Sequence, residues 1–321
     1  MSNCPPNAIE VHHLHKRYGD FPAVRDISFT VGTGEVFCLL GPNGAGKTTT
    51  TEILEGYRDR SGGEVSVLGS DPSRGERRFR ERIGIVLQEC GVQDDLTVAE
   101  VFDMYGRYYP RRLAVADVIS IVELDAKASD RVRGLSGGQR RRLDVGLALI
   151  GDPDLIFLDE PTTGFDPSAR RQSWSTFRAL RDLGKTVLLT THFMDEAEAL
   201  ADRIAVVASG TIVAEGTPTT LGGRDRAATR ITATMPAGLP ASQLPDLGSA
   251  RVSLAGSRLE ICTDDGSRTV HQLTGWALDE GIHLGELDVS QPSLEDIYLE
   301  LTADLDDPRV PTTSTTKETL R

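Results

Sequence analysis

One short stretch constrains this chain more than any other: Gly41-Pro42-Asn43-Gly44-Ala45-Gly46-Lys47-Thr48. It fits G-x-x-x-x-G-K-[S/T], a pattern whose glycines let the backbone wrap so closely that successive N–H groups converge on an anion. The flanks decide whether such a pattern is more than a turn. Residues 35–40 form an almost continuous apolar run, as a strand buried on both faces requires, and residues 47–56 have helical composition. A buried strand, a loop and a helix N-terminus in that order put a bound phosphate at the positive end of the helix dipole. Lys47 adds a point charge, the Thr48 hydroxyl is placed to ligate Mg2+, and Thr49 counts with the nucleotide-binding residues.

The rest of the chain supplies what such a loop needs around it. Residues 9–12 and 26–31 alternate apolar and polar, predicting half-exposed strands in an antiparallel layer, while 155–158 and 186–190 read as further buried strands. Helical segments at 114–122, 138–150 and 170–183 separate them, so the expected fold is α/β: a P-loop lobe with a parallel core, an antiparallel β layer and a helical subdomain around residues 95–150. The character changes after Gly216, and Gly222-Gly223 followed by charge marks a boundary. Beyond it, strands at 230–234, 251–254, 258–263 and 282–289 with helices at 267–280 and 293–301 predict a small C-terminal α+β domain. The expected domains are therefore 1–223, 224–303 and a disordered tail at 304–321, where hydrophobic residues almost vanish.

Composition excludes several classes. No run of about 18 apolar residues is present, and the N-terminus lacks the basic flank and apolar core of a secretory signal, so the expected place is the cytoplasm. Cys4, Cys38, Cys90 and Cys262 are scattered and read as reduced structural thiols. A net charge of −13 argues against coating nucleic acid, and the basic runs at 77–82, 111–112 and 140–142 read as solvated helix faces.

Residues 155–160, Leu-Ile-Phe-Leu-Asp159-Glu160, end an apolar strand in two acids. Alone this would be an exposed strand end. Downstream of a phosphate loop, Asp159 is placed to hold the Mg2+ shell and Glu160 to orient and polarise the attacking water. What narrows the class is Leu135-Ser136-Gly137-Gly138-Gln139, a polar glycine turn opening a helix ahead of that strand. With these three motifs, residues 8–220 resemble the ATPases of the ABC family. The resemblance implies a head-to-tail dimer in which the loop of one copy and the Ser136, Gly137, Gly138 and Gln139 turn of the other sandwich each ATP. It also implies roles for four more residues: Gln88 reaches the Mg2+ and water, His192 contacts the γ-phosphate, Asp166 crosses the dimer interface, and Tyr18 stacks on adenine. Phe165 stands where the family usually has leucine.

Residues 293–302 look like the end of the small domain appended to ATPases of the daunorubicin-resistance and ABC-2 exporter type. This resemblance implies an ATP- and Mg2+-dependent subunit on the cytoplasmic side of the membrane, powering efflux of a drug, lipid or other small hydrophobic compound through a separate polytopic permease, as in multidrug resistance. An importer ATPase is the alternative, and a soluble non-transport ABC ATPase is less favoured because the chain has one lobe and no heptad run.

Overall fold

The computed structural model describes residues 7–303 except 87–90, 227, 237, 241 and 242, so the expectations for Gln88, Cys4, Cys90 and the tail lie outside the described residues. One compact unit runs to Pro218, and a second covers Thr219–Ala303.

The first unit opens with β1 (Asn7–Tyr18) and β2 (Phe21–Gly32), an antiparallel hairpin much longer than the alternating segments alone predict. There follow β3 (Val36–Leu40), α1 (Lys47–Leu54), β4 (Gly62–Val67), α2 (Arg77–Arg80) and β5 (Ile83–Val86). Next come α3 (Val98–Gly106), α4 (Val115–Ile121), α5 (Gly137–Leu149), β6 (Leu155–Asp159), α6 (Pro167–Asp182), β7 (Thr186–Thr191), α7 (Met194–Leu200), β8 (Arg203–Ala208) and β9 (Thr211–Gly216). These strands form one sheet in the order β4-β1-β2-β9-β8-β3-β7-β6-β5. The antiparallel hairpin is thus the outer part of the same sheet; among the described residues it joins the parallel part through the pair Asp26 and Thr211. β3 is buried along its whole length because parallel partners flank it on both sides, β7 and β8. Phe29 and Phe37 stack with ring centroids 5.2 Å apart, tying the two parts of the sheet together. Each fully buried side chain of this size contributes roughly 1.5–3 kcal/mol of transfer free energy.

The helical part packs for legible reasons. Thr97 caps α3 through a reciprocal pair of bonds with Glu100, and the stripe Val98, Val101 and Phe102 is buried. On α5, a Cβ at Gly146 would lie 2.4 Å from the Phe102 ring, so a larger residue there would have to displace that buried ring.

The second unit holds β10 (Thr229–Thr234), β11 (Arg251–Ala255), β12 (Arg258–Thr263), α8 (Gly266–Asp279), β13 (Gly285–Ser290) and α9 (Leu294–Ala303). Its antiparallel sheet, ordered β11-β12-β10-β13, buries Ile231, Ala233, Leu259 and Ile261 in a core of its own with Leu273 of α8. β13 starts at Gly285, later than the apolar pattern from residue 282 predicts. Gly281, at φ 66, closes α8, and the Ile282 N–H donates to Ala277 O at 2.7 Å, so those residues are spent on the helix end.

Candidate functional site

Two glycines of the loop, Gly41 and Gly46, are squeezed against neighbouring backbone, which is why they cannot be replaced. A Cβ at Gly41 would sit 2.2 Å from Val207 O, and one at Gly46, where φ is 103, would sit 2.6 Å from Ala23 O. The Gly41 N–H donates to Thr191 O at 3.2 Å, and Ala45 O accepts from the Gly210 N–H at 3.0 Å. Pro42, Asn43 and Gly44 stay exposed on the outside of the turn. Lys47 is 3% exposed and folds back over the loop, donating to Gly41 O at 2.8 Å and Pro42 O at 3.1 Å. In the first turn of α1 Thr48 is exposed and Thr49 half-buried, whereas Thr50 and Thr51 spend their hydroxyls on Gly46 O and Lys47 O.

β6 delivers the two acids to the same place. Burial pushes the Asp159 carboxyl above its ordinary range, against a hydrogen bond from the Thr190 hydroxyl of β7. Glu160, the next residue, has φ 43, the left-handed region that side-chain-bearing residues rarely adopt. Its N–H donates to Thr190 O at 3.1 Å and Thr190 Oγ1 at 3.0 Å, which hold the turn. The bend swings its carboxylate over Lys47: Oε1 lies 3.2 Å from Nζ, and Oε2 accepts from Thr163 Oγ1 at 3.0 Å. Burial alone would raise this carboxyl, but the Lys47 charge and hydrogen bond, the Thr163 hydroxyl and His192 together hold it below its ordinary value. His192 Nδ1 stands 3.3 Å from Oε2 without the alignment of a hydrogen bond, its ring packed on Phe193.

The structure therefore brings together Lys47, Asp159, Glu160 and His192 from three separate stretches of sequence. The other named residues have local roles in the single chain. Ser136 caps α5: its Oγ accepts from the Gln139 N–H at 3.3 Å, and Gln139 Oε1 accepts from the Ser136 N–H at 2.9 Å. A Cβ at Gly137 or Gly138 would meet nothing within 4 Å, so the fold of one chain does not require glycine at either position. Asp166 caps α6, accepting from the Ser168 and Ala169 N–H groups at 2.9 and 3.0 Å. Tyr18 is 41% exposed, with the Lys16 ammonium and the Arg58 guanidinium each 5.3 Å from its ring centroid.

Some supporting residues escape a reading of the sequence. Arg141 belongs to a basic run expected to be solvated, yet it is buried and donates to Pro161 O at 2.8 Å, linking α5 to the turn after Glu160. Glu196 is fully buried and accepts from Thr162 Oγ1 at 2.8 Å, fixing α7 to that turn. For Arg141 the one signal in the sequence is its helical phase, four residues before Val145 and seven before Ala148 on the buried face of α5.

Comparison with known proteins decides the family. The ABC transporter profile matches residues 24–163, and that of the ABC transporter domain-containing protein-like C-terminal domain matches 229–293. A Nod factor export ATP-binding protein I from Rhizobium johnstonii is 39% identical over 304 residues, covering 92% of this chain and 95% of that protein. This chain belongs to the ABC transporter family. It is an ABC ATPase, the ATP-hydrolysing subunit of a transporter. The fold agrees. CbiO1 from Clostridium perfringens, part of an ABC transporter complex, superposes with a TM-score of 0.61 at 24% identity, covering 67% of this chain and 90% of that one. A dimeric ATP-binding cassette in a post-hydrolysis state, bound to ADP and Pi, gives 0.56 at 23% identity, covering 65% of this ABC ATPase and 98% of that chain. Among the described residues no helix is long and apolar enough to cross a membrane.

Proposed function

We propose that this ABC ATPase powers export through a separate polytopic membrane subunit, docked on the cytoplasmic side of the membrane and acting as a head-to-tail dimer. The observation that carries the catalytic part is the carboxylate of Glu160, kept ionised and held 3.2 Å from Lys47 Nζ by a strained turn. In this reading N–H groups of residues 43–49 and Lys47 bind the β- and γ-phosphates, Glu160 takes a proton from the attacking water, and His192 orients the γ-phosphate. Thr48 and Asp159, joined by Gln88, would hold Mg2+; an exposed hydroxyl and one acid suit an ion that keeps most of its waters and shares the phosphates. Bound there, Mg2+ would neutralise charge developing on the phosphate oxygens.

Glycines at 137 and 138 that the single chain does not need support a second copy closing on that turn, where Ser136 and the N-terminus of α5 can grip a phosphate. Tyr18 would stack on adenine and Asp166 would lie at the dimer interface. Residues 1–223 form the nucleotide-binding domain in this proposal and 224–303 an accessory domain. Export rather than import is favoured by the names of the similar proteins. The transporter reading is tested by purifying the ATPase with the polytopic membrane protein encoded beside it and screening compounds for stimulation of ATP turnover. Stimulation that instead needs a soluble substrate-binding protein would mean import.

A further inference from the structure

Arg170, at the end of the first turn of α6, is a largely buried cation that the proposed hydrolysis does not use. Its side chain is 12% exposed, and its Nε is buried without a hydrogen-bond partner. Helix stability does not explain it, because the positive end of a helix dipole disfavours a cation. Its bonds to Asp195 are long, 3.4 and 3.5 Å from Nη1 to the two carboxylate oxygens, and that carboxylate is half in solvent, so the pair holds little. Glu196 feels the charge, yet its Oε2 is buried without a hydrogen-bond partner. What Arg170 does meet is a ring: its guanidinium carbon lies 3.4 Å from the centroid of Phe193. That is the contact distance of two flat groups, which a planar guanidinium can make and a compact, hydrated ammonium cannot.

Phe193 in turn packs on His192, with ring centroids 4.0 Å apart and planes tilted by 41°. Its backbone is fixed in both directions: the Phe193 N–H donates to Thr191 Oγ1 at 3.0 Å, and Phe193 O accepts from the Ala197 N–H at 3.2 Å where α7 begins. His192 Nδ1 is buried without a hydrogen bond, so no bond there sets the angle of the imidazole and the stack is left to do so. We propose that Arg170 and Phe193 are positioning residues for hydrolysis, which hold the His192 ring at the angle from which it meets the γ-phosphate. The inference rests on the γ-phosphate role of His192 in the proposed function. Each residue acts through the ring next to it, and because the Arg170 N–H donates to Asp166 O at 2.9 Å, the stack also ties His192 to the first turn of α6.

The test uses the full chain. Phe193→Leu and Arg170→Lys should each lower kcat about ten- to hundredfold, as a displacement of about 1 Å beside the reacting phosphate does. KM for ATP should stay within about twofold of wild type, since binding in the ground state is untouched. Phe193→Tyr keeps the flat ring and should keep kcat within about twofold. Arg170→Lys leaves the ring in place and reads the same quantities if Phe193→Leu fails to fold. Two readouts separate positioning from general support. In a His192→Ala background, adding Phe193→Leu should lower kcat no further, because the group it aims is gone. By NMR, the His192 ring protons, assigned by their loss in His192→Ala, should carry an upfield ring-current shift that Phe193→Leu removes and Phe193→Tyr retains. Wild-type kcat in both Phe193→Leu and Arg170→Lys, or losses that multiply with that of His192→Ala, would overturn the proposal and leave the role of His192 intact. A His192→Ala variant that hydrolyses ATP at the wild-type rate removes that role and the proposal with it.

Discussion

Replacing Glu160 by Gln separates binding from hydrolysis. The carboxylate sits 3.2 Å from Lys47 Nζ, a gross attraction of about 5 kcal/mol at an effective dielectric constant near 20. The amide can still accept from Lys47 through its oxygen, so the net loss of stability without nucleotide is about 1–3 kcal/mol. Lys47 also keeps Gly41 O and Pro42 O as acceptors, and the loop glycines are untouched. ATP affinity should therefore hold or improve, because a negative charge beside the γ-phosphate has gone. Turnover should fall by about 10²–10⁴, the usual contribution of a positioned base, equal to about 3–5 kcal/mol of barrier. Single-turnover phosphate release measures the rate, fluorescent-nucleotide titration the affinity, and size-exclusion chromatography with Mg-ATP should find a trapped dimer. Hydrolysis near the wild-type rate, or a variant that stays monomeric with ATP, would refute Glu160 as the base in a composite site.

Other expectations follow from particular contacts. Ser136→Arg and Lys47→Ala should each be inactive yet regain ATPase activity when mixed, since a heterodimer has one intact composite site; heterodimers without activity would exclude the head-to-tail arrangement. Gly46→Ala should lower the melting temperature and abolish nucleotide binding, because φ 103 and a Cβ 2.6 Å from Ala23 O are both intolerable. Glu55 should make the fold less stable as pH rises: burial first, then Asp159 and Glu52, raise its folded pKa to about 8, above an unfolded value near 4.3, so across that window the folded state binds more protons. Glu55→Gln should consequently melt higher than wild type, with a gain that is larger at pH 8 than at pH 5; a gain independent of pH would contradict that assignment. A chain ended after Gly223 should keep its circular dichroism signature and bind ATP, since the core of the second unit is separate, and loss of nucleotide binding would make that unit part of the catalytic machinery.

The parts of this protein that were legible in its sequence are those where local pattern and chemistry coincide. Residues 35–48 show a buried strand, a turn and a charged helix start within one stretch, and the apolar run into Asp159 and Glu160 is equally local. Contacts between distant segments were not legible. Nothing near Thr190 in the sequence says that it will hold both acids in place, or that Arg141 will leave a basic run to bond Pro161 O. Glu55 followed by Gly56 reads as a solvated helix end, and only the packing of segments 72–85, 105–109 and 147–148 around it encloses the carboxyl. Conversely, the sequence points Ser136 and Asp166 to partners outside the chain, whereas within it both act first as helix caps. A residue's side chain can serve a local bond and an external one, and sequence does not rank the two.

The turn at Glu160 carries a consequence for how such chains change over time. Holding a glutamate at φ 43 costs about 1–2 kcal/mol that glycine or asparagine would largely avoid. Folding stability therefore pulls this position away from glutamate, and under the role proposed for its carboxylate the need to hydrolyse opposes that pull. In a duplicated copy released from turnover but still required to bind nucleotide, replacement here would be rewarded twice, by relaxed backbone and by a trapped nucleotide. If Glu160 is the base, the residue at this position should thus be among the first to be lost in copies that bind nucleotide without turning it over.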